Sequence, residues 1–156
     1  MDEITYSKIL KLLKTRDRSE KEILEFLEKS GVSKTDSAFA IDRLRSTKLI
    51  SDSRFAENKI RSRIYNQHWG KEKIKFELIE FGISQEIISE ELSKIDDSVW
   101  IEQCERLITR NSFNKKNQME IFKLKKKLFQ MGHPQGIIKK AFNNQNISEE
   151  IEIDLE

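Results

Sequence analysis

Three evenly spaced glycines constrain this chain more than any other feature. Ile23-Leu27-Gly31, Ile74-Leu78-Gly82 and Leu124-Leu128-Gly132 share one pattern, with glycines 51 and 50 residues apart. Apolar residues four apart line one face of an α-helix. A glycine after such a face can take the left-handed conformation that ends the helix. Beyond the second and third glycines, further apolar groups recur at matching offsets: Ile87-Ile88 with Leu92, and Ile137-Ile138 with Phe142. The first copy needs an insertion of about three residues to bring Leu44 into line. One glycine-ended helix is commonplace, but three with agreeing flanks indicate a repeat. A period of this length implies stacked supersecondary units. The expected fold is all-α: three tandem three-helix repeats forming an elongated, curved modular array. The expected bounds are 1–50, 51–96 and 97–145, followed by an acidic, disordered tail over 146–156.

Helical signals fill in nine elements. Tyr6, Ile9, Leu10 and Leu13 make the first stripe. Ser19 with Glu22 fits a capping box, in which each side chain satisfies a backbone N–H at the helix start. That helix buries Ile23, Phe26 and Leu27. A third, capped by Ser33, turns Ala38, Ile41 and Leu44 inward. Asp52 or Ser53 is expected to cap the fourth, which carries Phe55, Ala56, Ile60 and Ile64. Gly70 separates it from a fifth. Ser84 caps the sixth, and Asp97 or Ser98 opens the seventh, with Trp100, Ile101, Cys104, Leu107 and Ile108. Ile121, Leu124 and Leu128 line the eighth. Pro134 suits the first turn of the ninth, where a missing N–H is harmless. Beyond Asn143 the chain is expected to fray.

Composition excludes several classes. No apolar run approaches the ~20 residues that span a bilayer, and the N-terminus MDEITYSKIL lacks the pattern of a secretory signal. Cys104 is the single cysteine, so no intrachain disulfide can form, which fits a reducing, cytoplasmic setting. His68 and His133 are the only histidines and fall in turns, where a cap or surface role is expected. No metal-ligand spacing and no phosphate-cradling glycine loop appear. The chain is therefore expected not to be an enzyme and to need no cofactor or metal.

Charge is more informative. The net charge of +2 conceals an acidic end: residues 149–156 hold five acids and no base, leaving the rest at +7. A basic body favours polyanions or acidic protein surfaces. The bases concentrate in two places. Lys59, Arg61, Arg63, Lys71, Lys73 and Lys75 are opposed over 58–75 by Glu72 alone. Over 110–127, Arg110, Lys115, Lys116, Lys123, Lys125, Lys126 and Lys127 are opposed by Glu120 alone. Lys71 with Lys75, Lys59 with Arg63, and Lys123 with Lys127 each sit one turn apart on a shared face. If the second and third repeats stack, these bases could line one track; alternatively each cluster is a solvated helical face. Tyr65, Trp69 and Phe76 could stack on nucleobases, but core or hinge positions are the expectation.

Residues 50–83 carry a more specific signal. Ile50-Ser51-Asp52-Ser53-Arg54-Phe55-Ala56, then Arg63, Gly70, Ile74, Glu77-Leu78 and Gly82-Ile83, resemble the signature of the RecX family of bacterial recombinase regulators. The likeness extends more weakly over residues 4–143. It departs at Met131-Gly132-His133, where the family usually has a charged residue before the glycine and an aromatic after it. The resemblance implies tandem three-helix repeats. It also implies a negative regulator of recombination and the DNA-damage (SOS) response. Such a protein binds in the groove of the RecA filament on DNA and restrains strand exchange, ATP hydrolysis and co-protease activity. Lys59, Arg61, Arg63, Lys71, Lys73, Lys75, Lys123, Lys126 and Lys127 would then face the filament, with the protein acting as a monomer. The alternative is a DNA-binding protein of helix-turn-helix type, although no wing strands and no helix rich in Asn, Gln and Arg stand out. The acidic tail either shields the basic face or serves only solubility.

Overall fold

The structure, a computed structural model, describes residues 2–149. Among these residues lie nine α-helices and no strand: α1 (Glu3–Thr15), α2 (Glu20–Lys29), α3 (Lys34–Ser46), α4 (Asp52–Gln67), α5 (Lys71–Glu80), α6 (Gln85–Ser93), α7 (Asp97–Arg110), α8 (Gln118–Gln130) and α9 (Gln135–Asn144). The all-α expectation and the nine elements hold. No helix among the described residues is long and apolar enough to cross a membrane.

The helix ends explain the spacing that organises the sequence. Gly31, Gly82 and Gly132 all have positive φ, at 78°, 78° and 95°. After each, the next residue's N–H donates back to a leucine carbonyl: Val32 to Leu27, Ile83 to Leu78, His133 to Leu128. This is the bond of a Schellman turn, which ties up carbonyls that the helix leaves unpaired. His68, with φ of 57°, ends α4 in the same left-handed conformation without being glycine.

Several caps differ from expectation. The Ser19–Glu22 capping box forms, and Ser33 accepts from the Asp36 N–H. At α4, however, Ser51 is the cap, its Oγ accepting from the Arg54 N–H at 3.2 Å. Asp52 instead reaches across to α2, where its carboxylate accepts from the Glu20 N–H at 2.9 Å. α7 opens at Asp97, as expected, with Asp96 as its N-cap. Pro134 is the N-cap residue of α9, one position ahead of its first turn. In α3 the inward residues are Ser37, Ala40, Ile41 and Leu44; Ala38 is exposed, because the buried stripe falls one-third of a turn from it.

The described chain forms two compact units. One comprises residues 2–58 and 78–91, the other 59–77 and 92–149, so the division passes through α4, α5 and α6. In the first unit, Ile9, Ile23, Leu27, Ala40, Ile41, Leu44 and Ile50 form the core, flanked by Tyr6, Leu13, Phe26 and Val32. Phe55 meets Phe81 edge-on at 5.0 Å between ring centroids. In the second unit, α7 and α8 both pack on α9. Their buried side chains include Trp100, Cys104, Ile108, Ile121, Leu128, Ile138 and Phe142. The fraying expected beyond Asn143 does not begin there. Asn146 closes α9, Ile147 is 3% exposed, and the Lys115 ammonium donates to the Gln145 carbonyl. The rest of the acidic tail, 150–156, lies outside the described residues.

Candidate partner-binding surface

The six bases of the 59–75 cluster do different things. Glu77, on α5, sits beneath α4 and gathers two of them. Its carboxylate accepts from Arg63 Nη2 at 2.7 Å and lies 3.8 Å from the Lys59 ammonium. Glu77 is 12% exposed, and removing one partner of such a sheltered pair costs more than an exposed pair is worth. Arg63 also lies over Trp69, 4.8 Å from the ring centroid, and Lys73 approaches the same ring at 4.2 Å. Trp69 is thus half-buried by cations held against its negative π-faces. Lys59, Arg63 and Lys73 therefore brace the α4–α5 turn.

The remaining bases present themselves outward. Lys71 and Lys75 are half-exposed on α5, one turn apart. Arg61 is exposed on the side of α4 away from Arg63. On α8, Lys123 and Lys126 are exposed, and Lys127 donates to Asn111 Oδ1 at 3.2 Å. Lys125 departs from expectation: it is 7% exposed and paired to Glu149 at 2.8 Å, so it is not an outward base. Both clusters belong to the same unit. They are joined where the α4–α5 turn meets the α8–α9 turn. There the Gly70 N–H donates to Met131 O at 2.8 Å and the Glu72 N–H to Gly132 O at 3.1 Å.

Two of the aromatics expected at core or hinge positions are on the surface. Tyr65 is 56% exposed and Phe76 68%. Met119 at 66% and Phe129 at 36% add apolar area on α8. Bases interleaved with exposed rings can serve either charged or stacking contacts.

The histidines also depart from expectation: neither is on the surface. His133 is fully buried and His68 is 7% exposed. His133 Nε2 lies 2.9 Å from the His68 carbonyl, which can only accept, so Nε2 carries the proton. Nδ1 of His133 is left buried without a partner. Burial, opposed by that hydrogen bond, holds the His133 pKa below its ordinary value. The His68 ring in turn meets Gln103 Oε1 at 2.6 Å through Nδ1. No sequence rule flags this group, because its members are 35 and 65 residues apart. The available hint was that His133 stands where the other two repeats have Val32 and Ile83.

The signature residues of 50–83 prove to be builders. Phe55 and Ala56 are core, Asp52 ties α2 to α4, Arg63 and Glu77 pair, Gly70 lies against the Gly132–His133 backbone and Gly82 against the Lys21 side chain. Burial raises the Asp52 pKa, with the nearby Glu20 charge adding to it against the hydrogen bond from the Glu20 N–H. Among the described residues no cluster of His, Cys, Asp or Glu could hold a metal ion.

The described residues thus form an all-helical fold whose surface carries exposed lysines and the exposed apolar side chains Tyr65, Phe76, Met119 and Phe129. Comparison with known proteins names the family. Residues 51–92 match the second three-helix domain of RecX. The chain is 32% identical over 133 residues to the regulatory protein RecX of Haemophilus influenzae, covering 83% of this chain and 84% of that one. With the regulatory protein RecX of Oceanobacillus iheyensis it shares 30% identity over 148 residues, covering 93% of this chain but 54% of the relative. With that of Mycolicibacterium smegmatis it shares 36% over 99 residues, or 64% of this chain and 53% of the relative. Against these two relatives the chain spans about half their length. The crystal structure of RecX from Lactobacillus salivarius has the same fold, with a TM-score of 0.82 over 92% of this chain and 96% of that chain, at 22% identity. The chain belongs to the RecX family of regulatory proteins.

Proposed function

We propose that this chain binds the helical groove of the RecA filament on DNA and restrains strand exchange, ATP hydrolysis and co-protease activity. Family membership supports the partner. The observation that carries the contact surface is the sorting of the bases: Lys59, Arg63 and Lys73 are committed to Glu77 and Trp69, while Lys71, Lys75, Lys123 and Lys126 face outward. Such outward lysines would meet acidic protomer surface or DNA phosphates, and binding through them weakens as salt rises.

Lys71→Glu with Lys75→Glu leaves the Arg63–Glu77 pair and the Trp69 contacts intact. The double variant is expected to keep the wild-type circular dichroism spectrum and to lose inhibition of RecA-driven strand exchange and ATPase. Equal inhibition by wild type and variant would remove this surface from the contact. A sharp preference for one duplex sequence in the absence of recombinase would favour the helix-turn-helix alternative instead.

A further inference from the structure

The two compact units carry opposite net charge. Among the described residues, the first holds 12 bases against 15 acids, and the second 17 bases against 8 acids. Charge of opposite sign on two parts of one chain attracts one copy to the next, and such fields steer encounter. In the first unit, α2 and α3 border a cleft of about 430 Å³. Leu24, Val32, Ala38 and Ile41 supply its apolar lining. Toward one end, Arg45 is held by Glu20 at 2.8 Å and by Asp42 at 3.0 Å, two acids to one base. Toward the α2–α3 turn stand Glu28 and Lys34. The rim thus carries three acids and two bases. An apolar cleft with an acidic rim suits the basic, apolar face of a helix.

The second unit displays such a face on α8. Met119, Phe122, Lys126 and Phe129 follow one another at spacings of three, four and three, which makes one stripe along the helix. Met119, Phe129 and Lys126 are exposed, as is Lys123 beside them. The helix buries Ile121, Leu124, Lys125 and Leu128 instead. Docking of the stripe therefore leaves the core of its own unit undisturbed.

We propose that the α8 stripe of one copy docks in the α2–α3 cleft of a second copy of this chain. Met119 and Phe129 enter the apolar lining, and Lys123 and Lys126 meet the acidic rim. The contact joins two different surfaces, so a pair of copies keeps one cleft and one stripe free. Such heterologous association continues beyond the dimer unless its rotation closes a ring. A contact confined to one cleft and one helix face is small and weak, and its charged part fades as salt rises. The inference goes beyond the filament reading and does not rest on it.

Sedimentation velocity of the full chain, free of nucleic acid, tests the contact. The weight-average sedimentation coefficient of the wild type is expected to rise with protein concentration at low salt, and the rise should flatten as salt is added. Glu28→Lys makes the rim basic, and Lys123→Glu with Lys126→Glu makes the stripe acidic. Each variant should keep the wild-type circular dichroism spectrum and lose the rise. Mixed in equal amounts, the two should regain it, because the basic cleft of one then meets the acidic stripe of the other. Lys140→Glu, a reversal on exposed α9 surface, should behave as wild type. A wild type that sediments as a single chain at every concentration overturns the proposal and leaves the cleft to a basic helix of another protein. A rise that persists in both variants, or that fails to return on mixing, overturns it as well. No recombinase is present, so failure of self-association and failure of filament inhibition are read separately.

Discussion

The turn after α5 and the turn after α8 begin from the same local instruction and meet different surroundings. Each has a leucine, three residues, a glycine at positive φ, and a return bond to the leucine carbonyl. At Gly82 the neighbour is a side chain. A Cβ there would lie 2.7 Å from Lys21 Cβ and 2.8 Å from its Cδ, and the Lys21 ammonium donates to Glu80 O. At Gly132 the neighbours are the Lys73 Cβ and backbone. A Cβ would fall 2.5 Å from the Lys73 nitrogen, while one on Gly70 would fall 2.3 Å from Gly132 C and O and from His133 N. The Lys21 stem beyond Cβ can swing aside and its Cβ can move with the α2 backbone, but two hydrogen-bonded turns cannot part. The residue after the glycine differs too. Ile83 is an apolar plug, whereas His133 is buried with one nitrogen bonded and the other orphaned. The repeat thus dictates the turn, and the partner surface dictates how much a change there costs.

The glycine series sharpens this comparison and should show the largest effects. Gly70→Ala and Gly132→Ala are each expected to cost at least about 3 kcal/mol, since the new methyl overlaps paired backbone. Gly82→Ala should cost about 2 kcal/mol, combining left-handed strain with a shift of α2 at Lys21. Gly31, whose Cβ would meet nothing within 4 Å, carries the left-handed strain alone and should cost about 1 kcal/mol. Urea denaturation of the four variants gives the ranking directly. Equal costs at Gly82 and Gly132 would break the distinction between a neighbouring side chain and a hydrogen-bonded backbone turn.

The buried histidine gives the second test. The folded state holds His133 below its ordinary value of 6.5, so the unfolded chain takes up the proton first. Its stabilising contribution is whole above that value and drains away as pH falls through the window beneath it. Thermal melts should show the wild type losing stability below about pH 6.5, with a shallower fall in His133→Leu. Parallel pH profiles for the two would show that His133 is not the group responsible.

A smaller effect is expected at the long-range cap of the first unit. Asp52→Ala leaves the Glu20 N–H without its carboxylate partner and should cost about 1 kcal/mol. Asp52→Asn keeps an accepting oxygen and removes a charge that burial disfavours, so it should be near neutral in the same melts.

The helices were legible because their signals are local. Stripes such as Ile74-Leu78 and stops such as Gly82 depend on residues within a few positions of one another, and the nine elements followed from them. The capping box at Ser19 was equally readable. Long-range capping was not: Asp52 reads as a helix cap from its neighbours, yet it bonds an N–H 32 residues away. The basic clusters were visible as composition, but composition cannot say that Lys125 turns inward to Glu149 or that Arg63 closes on Glu77. Nor could it say that Tyr65 and Phe76 are exposed while Trp69 is covered by cations.

By itself, then, the sequence determined the helical periods, the glycine stops and the family signature, since each is written in contiguous residues obeying backbone geometry. Tertiary structure alone decided which of the bases are braces and which remain at the surface. It alone decided that His68 and His133 are interior, and that Gly70 and Gly132 must both lack a side chain. Those outcomes turn on which distant segment occupies the space beside a residue, and no local pattern encodes that.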